Sequence, residues 1–133
     1  MQILIADDHI VVRKGIKQIL LEEFVDSEIY EVSNGNELLQ KVRTEKFDLV
    51  ISDISMPGED GYSLIRKIRK LGPEQHGDVP SLALTAFATT GDVQRALSAG
   101  FDAHMAKPFD TFRLGHMVAE LTQKKVTSDS FKA

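Results

Sequence analysis

The sequence predicts an α/β fold in which a doubly wound, five-stranded parallel sheet is covered by helices on both faces. Short apolar runs that are typical of buried strands alternate five times with segments of helical periodicity. Alternating units of this length imply right-handed crossovers between parallel strands. The chain of 133 residues has room for one such domain with its own core.

The strands are recognised as apolar runs that are bounded by turn residues. The clearest is Leu49 to Asp53, where mostly apolar residues lead directly into one carboxylate. The first strand contains Ile3 to Ile5 and ends at the pair Asp7 and Asp8. Strands are expected at residues 2–6, 28–32, 49–53, 81–86 and 101–106.

A helical segment follows each strand and places its apolar residues on one face. The first carries Val12, Ile16 and Leu20 on that face, and Asp8 stands at its N-cap position. Gly100 is a C-terminal stop for the fourth helix. The third helix has a basic outer face, which we interpret as solvated, formed by Arg66, Lys67, Arg69 and Lys70. Helices are expected at residues 9–24, 37–45, 62–71, 89–99 and 111–123.

Composition narrows the class of protein. The net charge is −4, and the basic residues are spread along the chain, which argues against direct nucleic-acid binding. There is no cysteine, so disulfides, thiolate nucleophiles and zinc–thiolate sites are excluded. No apolar run approaches the ~18 residues of a membrane span, and no signal-peptide pattern precedes the first strand. These features predict a cytoplasmic protein that does not bind membranes.

Polar residues follow four of the predicted strands. They are Asp7 and Asp8 after the first strand, Asp53 at the end of the third, Thr85 on the fourth and Lys107 after the fifth. Because the carboxyl ends of parallel strands meet at one edge of a sheet, these side chains are expected to lie together. The sequence therefore predicts one crevice that is lined by carboxylates, a hydroxyl group and an ammonium group.

These groups suit a metal-assisted phosphoryl site. Three crowded carboxylates repel one another unless a cation lies among them. Oxygen ligands favour Mg²⁺ or Mn²⁺, and Mg²⁺ leaves a coordination position for a phosphoryl oxygen. The ammonium and hydroxyl groups suit the remaining phosphoryl oxygens, and Asp53 is the candidate nucleophile. The histidines His9, His76 and His116 are expected to face solvent and are given no role.

This combination resembles the receiver domain of two-component response regulators. The resemblance covers about residues 2–123, and its motifs are Asp7-Asp8, Asp53 with Met56-Pro57 and Asp60-Gly61, Thr85-Ala86, and Lys107-Pro108. It implies a flavodoxin-like sheet with strand order 2-1-3-4-5, five helices and a receiver domain at residues 1–123. Residues 124–133 lose the helical periodicity and are expected to form a flexible C-terminal tail.

The resemblance gives the acidic residues roles in phosphorylation and metal binding. It implies that Asp53 accepts a phosphoryl group from a histidine kinase or a phosphotransfer protein. It also implies that Mg²⁺ (or Mn²⁺) is held by Asp8, Asp53 and the backbone carbonyl of Ser55, while Asp7 acts mostly through water. Such a domain is a phosphorylatable switch and a substrate of its kinase rather than an enzyme.

The resemblance also implies a conformational switch. Thr85 would bind a phosphoryl oxygen on activation, Lys107 would pair with that group and with Asp53, and the bond before Pro108 would be cis. Receivers usually carry an aromatic switch residue where this chain has His104, so coupling to Thr85 is expected to be weaker or pH-sensitive. The switch would remodel the surface of the fourth helix, fifth strand and fifth helix. The output partner and a phosphorylation-dependent dimer are left open.

Two positions that flank the path of the hydrolytic water in receivers are unusual here. Phe87 could screen the acyl phosphate from water, and Ser55 offers no carboxamide or acid that would orient a water molecule. We therefore expect slow self-dephosphorylation. The alternative interpretation of Phe87 is simple packing within its loop.

Three other functions compete with the switch. An aspartyl-phosphate hydrolase of the haloacid dehalogenase type would carry its nucleophile on the first strand, not at Asp53. A flavodoxin-like binding module would need a phosphate-binding loop after the first strand, where Asp7 and Asp8 repel phosphate. A receiver that acts by protein contact alone would not need the full set of polar residues.

The two halves of the chain resemble different kinds of receiver. The N-terminal half, with Asp7-Asp8-His9, is similar to receivers that precede helix-turn-helix DNA-binding domains. The C-terminal half, from Val79 to Pro108, is similar to receivers of hybrid histidine kinases. One lineage with both traits and a recombined chain both fit this pattern.

Overall fold

The computed structural model describes the backbone of residues 1–55, 60–86, 90–107 and 110–132, and the side chains in these ranges except those of residues 90 and 123–132. The predictions for Met56-Pro57, for Phe87 and for the peptide bond before Pro108 lie outside the described residues.

The predicted parallel sheet and its strand order are confirmed. The strands are β1 (Gln2–Ala6), β2 (Glu28–Val32), β3 (Leu49–Asp53), β4 (Ser81–Thr85) and β5 (Ala103–Ala106). They lie in the order β2-β1-β3-β4-β5, and every neighbouring pair is parallel. The helices are α1 (Ile10–Glu23), α2 (Gly35–Thr44), α3 (Gly61–Lys70), α4 (Thr90–Ala99) and α5 (Thr111–Lys132), and a 3₁₀ turn spans Pro73–Gln75.

Helices cover both faces of the sheet because the strands point alternate side chains to opposite faces. Leu4 and Val50 lie in one core with buried residues of α2, α3 and α4. Ile5 and Ile51 lie in the other core with buried residues of α1 and α5. All residues of β3 are buried, because this strand contributes side chains to the cores on both faces of the sheet.

Among the described residues, side chains cap three helices, with Asn34 at α2, Asp60 at α3 and Asp110 at α5, and the start of α1 corrects a prediction. Asn34 accepts the backbone N–H of Glu37 at the start of α2, which satisfies a donor that has no partner within the helix. At α1 the N-cap is His9 rather than the predicted Asp8, and no side chain caps the helix. The helix begins one residue later than predicted because the His9 N–H is held by the Asp7 carboxylate, at 2.8 Å.

The connection between α4 and β5 also differs slightly from the prediction. Gly100 follows α4 as predicted, with a φ of 133° that favours glycine. The β5 strand begins at Ala103 rather than at residue 101. The reason is that the N–H of Phe101 still donates to the carbonyl of Ala96, at 3.1 Å, and so belongs to the helix end.

Two residues that were expected to face solvent make internal contacts. Arg69 of α3 is only partly exposed and donates to the carbonyls of Gly77, Val79 and Gly100 at 2.7–2.9 Å. The Nδ1 atom of His76 lies 3.0 Å from the carbonyl oxygen of Val42. Both predictions were wrong because these polar side chains have backbone partners that are distant along the chain.

The last helix continues past the predicted domain boundary. The α5 helix runs to Lys132, so its backbone is regular through most of the segment for which a tail was predicted. The boundary at residue 123 and the flexibility of residues 124–133 stay predictions. Within the described part of the chain, no helix combines the length and apolar character needed to cross a membrane.

Candidate functional site

Asp7 anchors the site at the end of β1. It is fully buried, and its Oδ2 atom accepts a hydrogen bond from Nζ of Lys107 at 3.0 Å. Its backbone carbonyl accepts a hydrogen bond from the Arg13 guanidinium at 2.6 Å. Arg13 in turn pairs with Glu31 at 3.2 Å. The first carboxylate is therefore held both through its side chain and through its backbone.

Asp53 ends the central strand and is 2% exposed. Its Oδ1 atom accepts the Ser55 N–H at 3.2 Å and lies 3.5 Å from Nζ of Lys107. Burial and the nearby charge of Asp7 raise the pKa of the Asp53 carboxyl above its ordinary value, while Lys107 and the Ser55 N–H act in the opposite direction. The ionised form of Asp53 thus depends on the cations around it.

Lys107 connects the two sides of the site. Its backbone N–H donates to the carbonyl of Thr85 at 2.8 Å, which fixes the end of β5 to the end of β4. From there its ammonium group reaches both Asp7 and Asp53. Thr85 is 5% exposed and ends the strand beside β3. The structure brings these four residues to one edge of the sheet, and their individual roles stay predictions.

The acidic side chains fit a divalent cation. One ligand atom each from Asp7, Asp8, His9 and Asp53 can be chosen so that all lie within 4.8 Å of one another. Octahedral Mg²⁺ with bonds of about 2.1 Å would need ligand separations of about 3.0 and 4.2 Å. Oδ1 of Asp8 is buried, forms no hydrogen bond with a described residue and lies 3.2 Å from Nδ1 of His9, so it is available to a cation. The carbonyl of Ser55 remains a predicted further ligand.

His9 was given no role from the sequence, and its position corrects that. Its side chain is 64% exposed, as expected, but its Nδ1 atom lies 3.2 Å from one oxygen of Asp7 and 3.2 Å from one oxygen of Asp8. The available signal was its position directly after the two carboxylates. The sequence gives this position little weight, because no second histidine stands at metal-ligand spacing from it.

The start of α3 packs against the backbone that follows Asp53. The N–H of Gly61 donates to the carbonyl of Ile54 at 2.8 Å. A Cβ atom at Gly61 would lie 2.8 Å from the Cα atom of Ile54 and 3.3 Å from the Asp53 carbonyl oxygen. Only glycine fits this approach without a shift of the backbone beside Asp53.

His104, the predicted switch residue, lies on β5 opposite Ala83 of β4. Its Nε2 atom is buried and has no hydrogen-bond partner among the described residues. Burial lowers the pKa of His104, and the charge of Asp92 opposes this only in part. The environment of His104 therefore favours the neutral imidazole over the protonated one.

Comparisons with known proteins agree with this geometry. The family model described as the response regulator receiver domain matches residues 3–119. The sensor histidine kinase GacS of Pseudomonas protegens is 37% identical over 106 residues, which are 79% of this chain and 12% of that protein. The response regulator Rre1 of Synechocystis is 34% identical over 95% of this chain and 53% of that protein. The chain thus spans between about a tenth and about half of these relatives.

A solved structure adds a bound ion to the comparison. The receiver domain of the sensor histidine kinase PA1611 from Pseudomonas aeruginosa, which has a magnesium ion coordinated in its active-site cleft, is 30% identical. It superimposes with a TM-score of 0.81 over 92% of this chain and 97% of that one. The sheet order, the family match and these relatives agree, and the chain belongs to the response regulator receiver domain family.

Proposed function

We propose that this domain is a phosphorylatable signalling switch in which Asp53 accepts a phosphoryl group from a phosphohistidine of a histidine kinase or phosphotransfer protein. The observation that carries this is the contact of one ammonium group, that of Lys107, with two buried carboxylates at the end of the central strand. That GacS is a sensor histidine kinase by name supports a partner of this class. A cytoplasmic location is part of the proposal.

The residues of the site divide the work of phosphoryl transfer. An oxygen of the ionised Asp53 carboxylate forms the new bond to phosphorus as the bond from phosphorus to the donor imidazole breaks, and the freed imidazole takes a proton from solvent. Lys107 lies where it can stabilise both the Asp53 carboxylate and the transferred oxygens. Thr85 at the end of β4 would donate to a phosphoryl oxygen.

A divalent cation fits the same residues. Mg²⁺ or Mn²⁺, when bound, would neutralise charge on the carboxylates and on the phosphoryl oxygens. Asp8, Asp53 and the carbonyl of Ser55 would hold it, with Asp7 acting mostly through water. The buried Oδ1 of Asp8, which forms no hydrogen bond with a described residue, supports this assignment, as does the magnesium ion in the PA1611 receiver.

The signal would leave through the surface of α4, β5 and α5. Inward movement of Thr85 towards the phosphoryl group would shift the segment after β4 and reorient His104, which is a change in the populations of two states. The output partner, and a dimer that forms on phosphorylation, would use this surface. Slow hydrolysis of the acyl phosphate is the further expectation, and a Phe87→Glu variant that loses phosphate no faster would contradict it.

The test is the intact mass of the protein after incubation with acetyl phosphate and Mg²⁺. We expect a gain of one phosphoryl group that requires Mg²⁺ and is lost in alkali. Asp53→Asn should abolish the gain, whereas the matched control Asp26→Asn, on an exposed residue, should retain it. If neither acetyl phosphate nor beryllofluoride with Mg²⁺ changes the protein, the switch proposal fails and protein contact alone remains.

A further inference from the structure

His9 directs its ring at the metal site even though most of the side chain is exposed. Its backbone N–H donates to Oδ1 of Asp7 at 2.8 Å, which fixes the start of the α1 helix beside that carboxylate. The same oxygen lies 3.2 Å from Nδ1 of the ring. Oδ1 of Asp8 lies at the same distance from Nδ1. The ring is thus turned back over both carboxylates instead of extending away from them.

These distances match the edges of a coordination sphere. Two ligands at neighbouring positions of an octahedron with bonds of about 2.1 Å lie about 3.0 Å apart. Nδ1 of His9 stands close to that separation from the Asp8 oxygen, and a carboxylate oxygen of Asp53 belongs to the same cluster, whose ligand atoms lie within 4.8 Å of one another. One of these oxygens, on Asp8, is buried without a hydrogen-bond partner among the described residues. The site therefore holds one nitrogen donor in addition to its oxygens.

A nitrogen donor changes which ions a site prefers. Mg²⁺ favours oxygen ligands and gains little from an imidazole, whereas Co²⁺, Ni²⁺ and Zn²⁺ bind imidazole well and follow the Irving–Williams order. We propose that Nδ1 of His9 is a direct ligand for a divalent transition-metal ion in this site. His9 is then a residue that determines metal specificity, and this rests on the proposed metal site at Asp8 and Asp53.

The consequence is a measurable shift in metal preference. Loss of even an outer partner of a metal ligand commonly costs 10–100-fold in affinity, so loss of a direct nitrogen ligand should cost about tenfold or more for Co²⁺. The Kd for Mg²⁺ should change by less than about twofold, since its ligands are the oxygens. The ratio of the Kd values for Co²⁺ and Mg²⁺ separates the loss of the nitrogen ligand from general damage to the site.

The experiment is titration calorimetry of Mg²⁺ and of Co²⁺ with the wild-type chain and with His9→Ala. This substitution keeps the backbone N–H that bonds Asp7. His116→Ala is the matched control, because His116 is a 71% exposed histidine on α5, far along the chain from the site. We expect His9→Ala alone to weaken Co²⁺ selectively. The visible absorption of bound Co²⁺ should change in the same variant, and excess Mg²⁺ should displace Co²⁺ from the wild type.

Each result decides a different question. Equal changes for Co²⁺ and Mg²⁺ in His9→Ala, or Co²⁺ that Mg²⁺ does not displace, would overturn the role of His9 and leave the proposed switch intact. Absence of binding of both ions to the wild type would overturn the metal site itself. Selective weakening of Co²⁺ together with displacement by Mg²⁺ would establish His9 as a ligand in the shared site.

Discussion

Replacement of Arg69 by methionine tests the internal role that the structure gives to this residue. Its guanidinium group donates at 2.9 Å to the carbonyl of Gly100, at 2.9 Å to that of Gly77 and at 2.7 Å to that of Val79. A further bond of 2.9 Å reaches Asp102. These partners lie on both sides of β4, so one side chain joins α3 to two separate connections of the sheet.

The magnitude follows from the bonds that are lost. A net value of about 1 kcal/mol for each of the three backbone carbonyls gives a total of about 3 kcal/mol. The pair with Asp102 adds little, because that carboxylate is 47% exposed and such pairs are worth about 0–1 kcal/mol. Arg69→Met should therefore lower the free energy of unfolding by about 3 kcal/mol. Arg69→Lys should recover only about 1 kcal/mol of this, because one ammonium group cannot replace the planar fork.

The assay is urea unfolding at pH 7 without divalent cations, followed by circular dichroism. Arg66→Met on the same helix is the matched control, because Arg66 is exposed and such surface changes stay within about 0.5 kcal/mol. If the two methionine variants differ by less than about 0.5 kcal/mol, the internal contacts of Arg69 do not stabilise the fold and the reasoning is refuted.

Three further perturbations test the electrostatics and the helices. The raised pKa of the Asp53 carboxyl means that its ionised form destabilises the fold at pH values above the ordinary pKa of 3.8. Asp53→Asn should therefore be more stable than the wild type at pH 7 without divalent cations. Equal free energies of unfolding in urea would contradict this. The lowered pKa of His104 means that the fold loses stability as the pH falls below 6.5, the ordinary pKa of histidine. The free energy of unfolding of His104→Phe should therefore rise relative to that of the wild type from pH 7.5 to pH 5.5. A difference between the two proteins that does not change with pH would exclude this. Gly15 lies within α1, and a Cβ atom added there would meet no neighbouring group within 4 Å. Gly15→Ala should therefore raise the free energy of unfolding by about 0.5–1 kcal/mol. A decrease would show an unrecognised contact at this position.

The sheet could be predicted because its strands are apolar on both faces and end in polar residues. The run from Leu49 to Asp53 is buried along its whole length, and an apolar run of that kind has few alternatives to a central parallel strand. Given parallel strands, the polar residues at their ends must lie at one edge. Lys107 contacts Asp7 at 3.0 Å, and the parallel strand topology alone was enough to predict that these two residues lie close together.

The details that escaped prediction depend on side chains that reach across the fold. Arg69 stands on the polar side of a regular helical pattern, and nothing near it in the chain indicates that it bonds Gly100. The role of His9 could not be predicted because its ring orientation depends on where α1 begins. The N-cap of that helix is His9 and not the predicted Asp8. Periodicity reports which face a residue occupies but not how far a long side chain extends.

The close approach of Gly61 to Ile54 has a consequence for how variants of this protein should be interpreted. The residue carries no charge, no reactive atom and no side chain, yet its Cβ position is already taken by the backbone next to Asp53. A genetic screen for loss of signalling should therefore recover substitutions here beside those of the charged residues. Such alleles would act on the placement of the carboxylate and not on its chemistry, so an inventory of functional groups would overlook them.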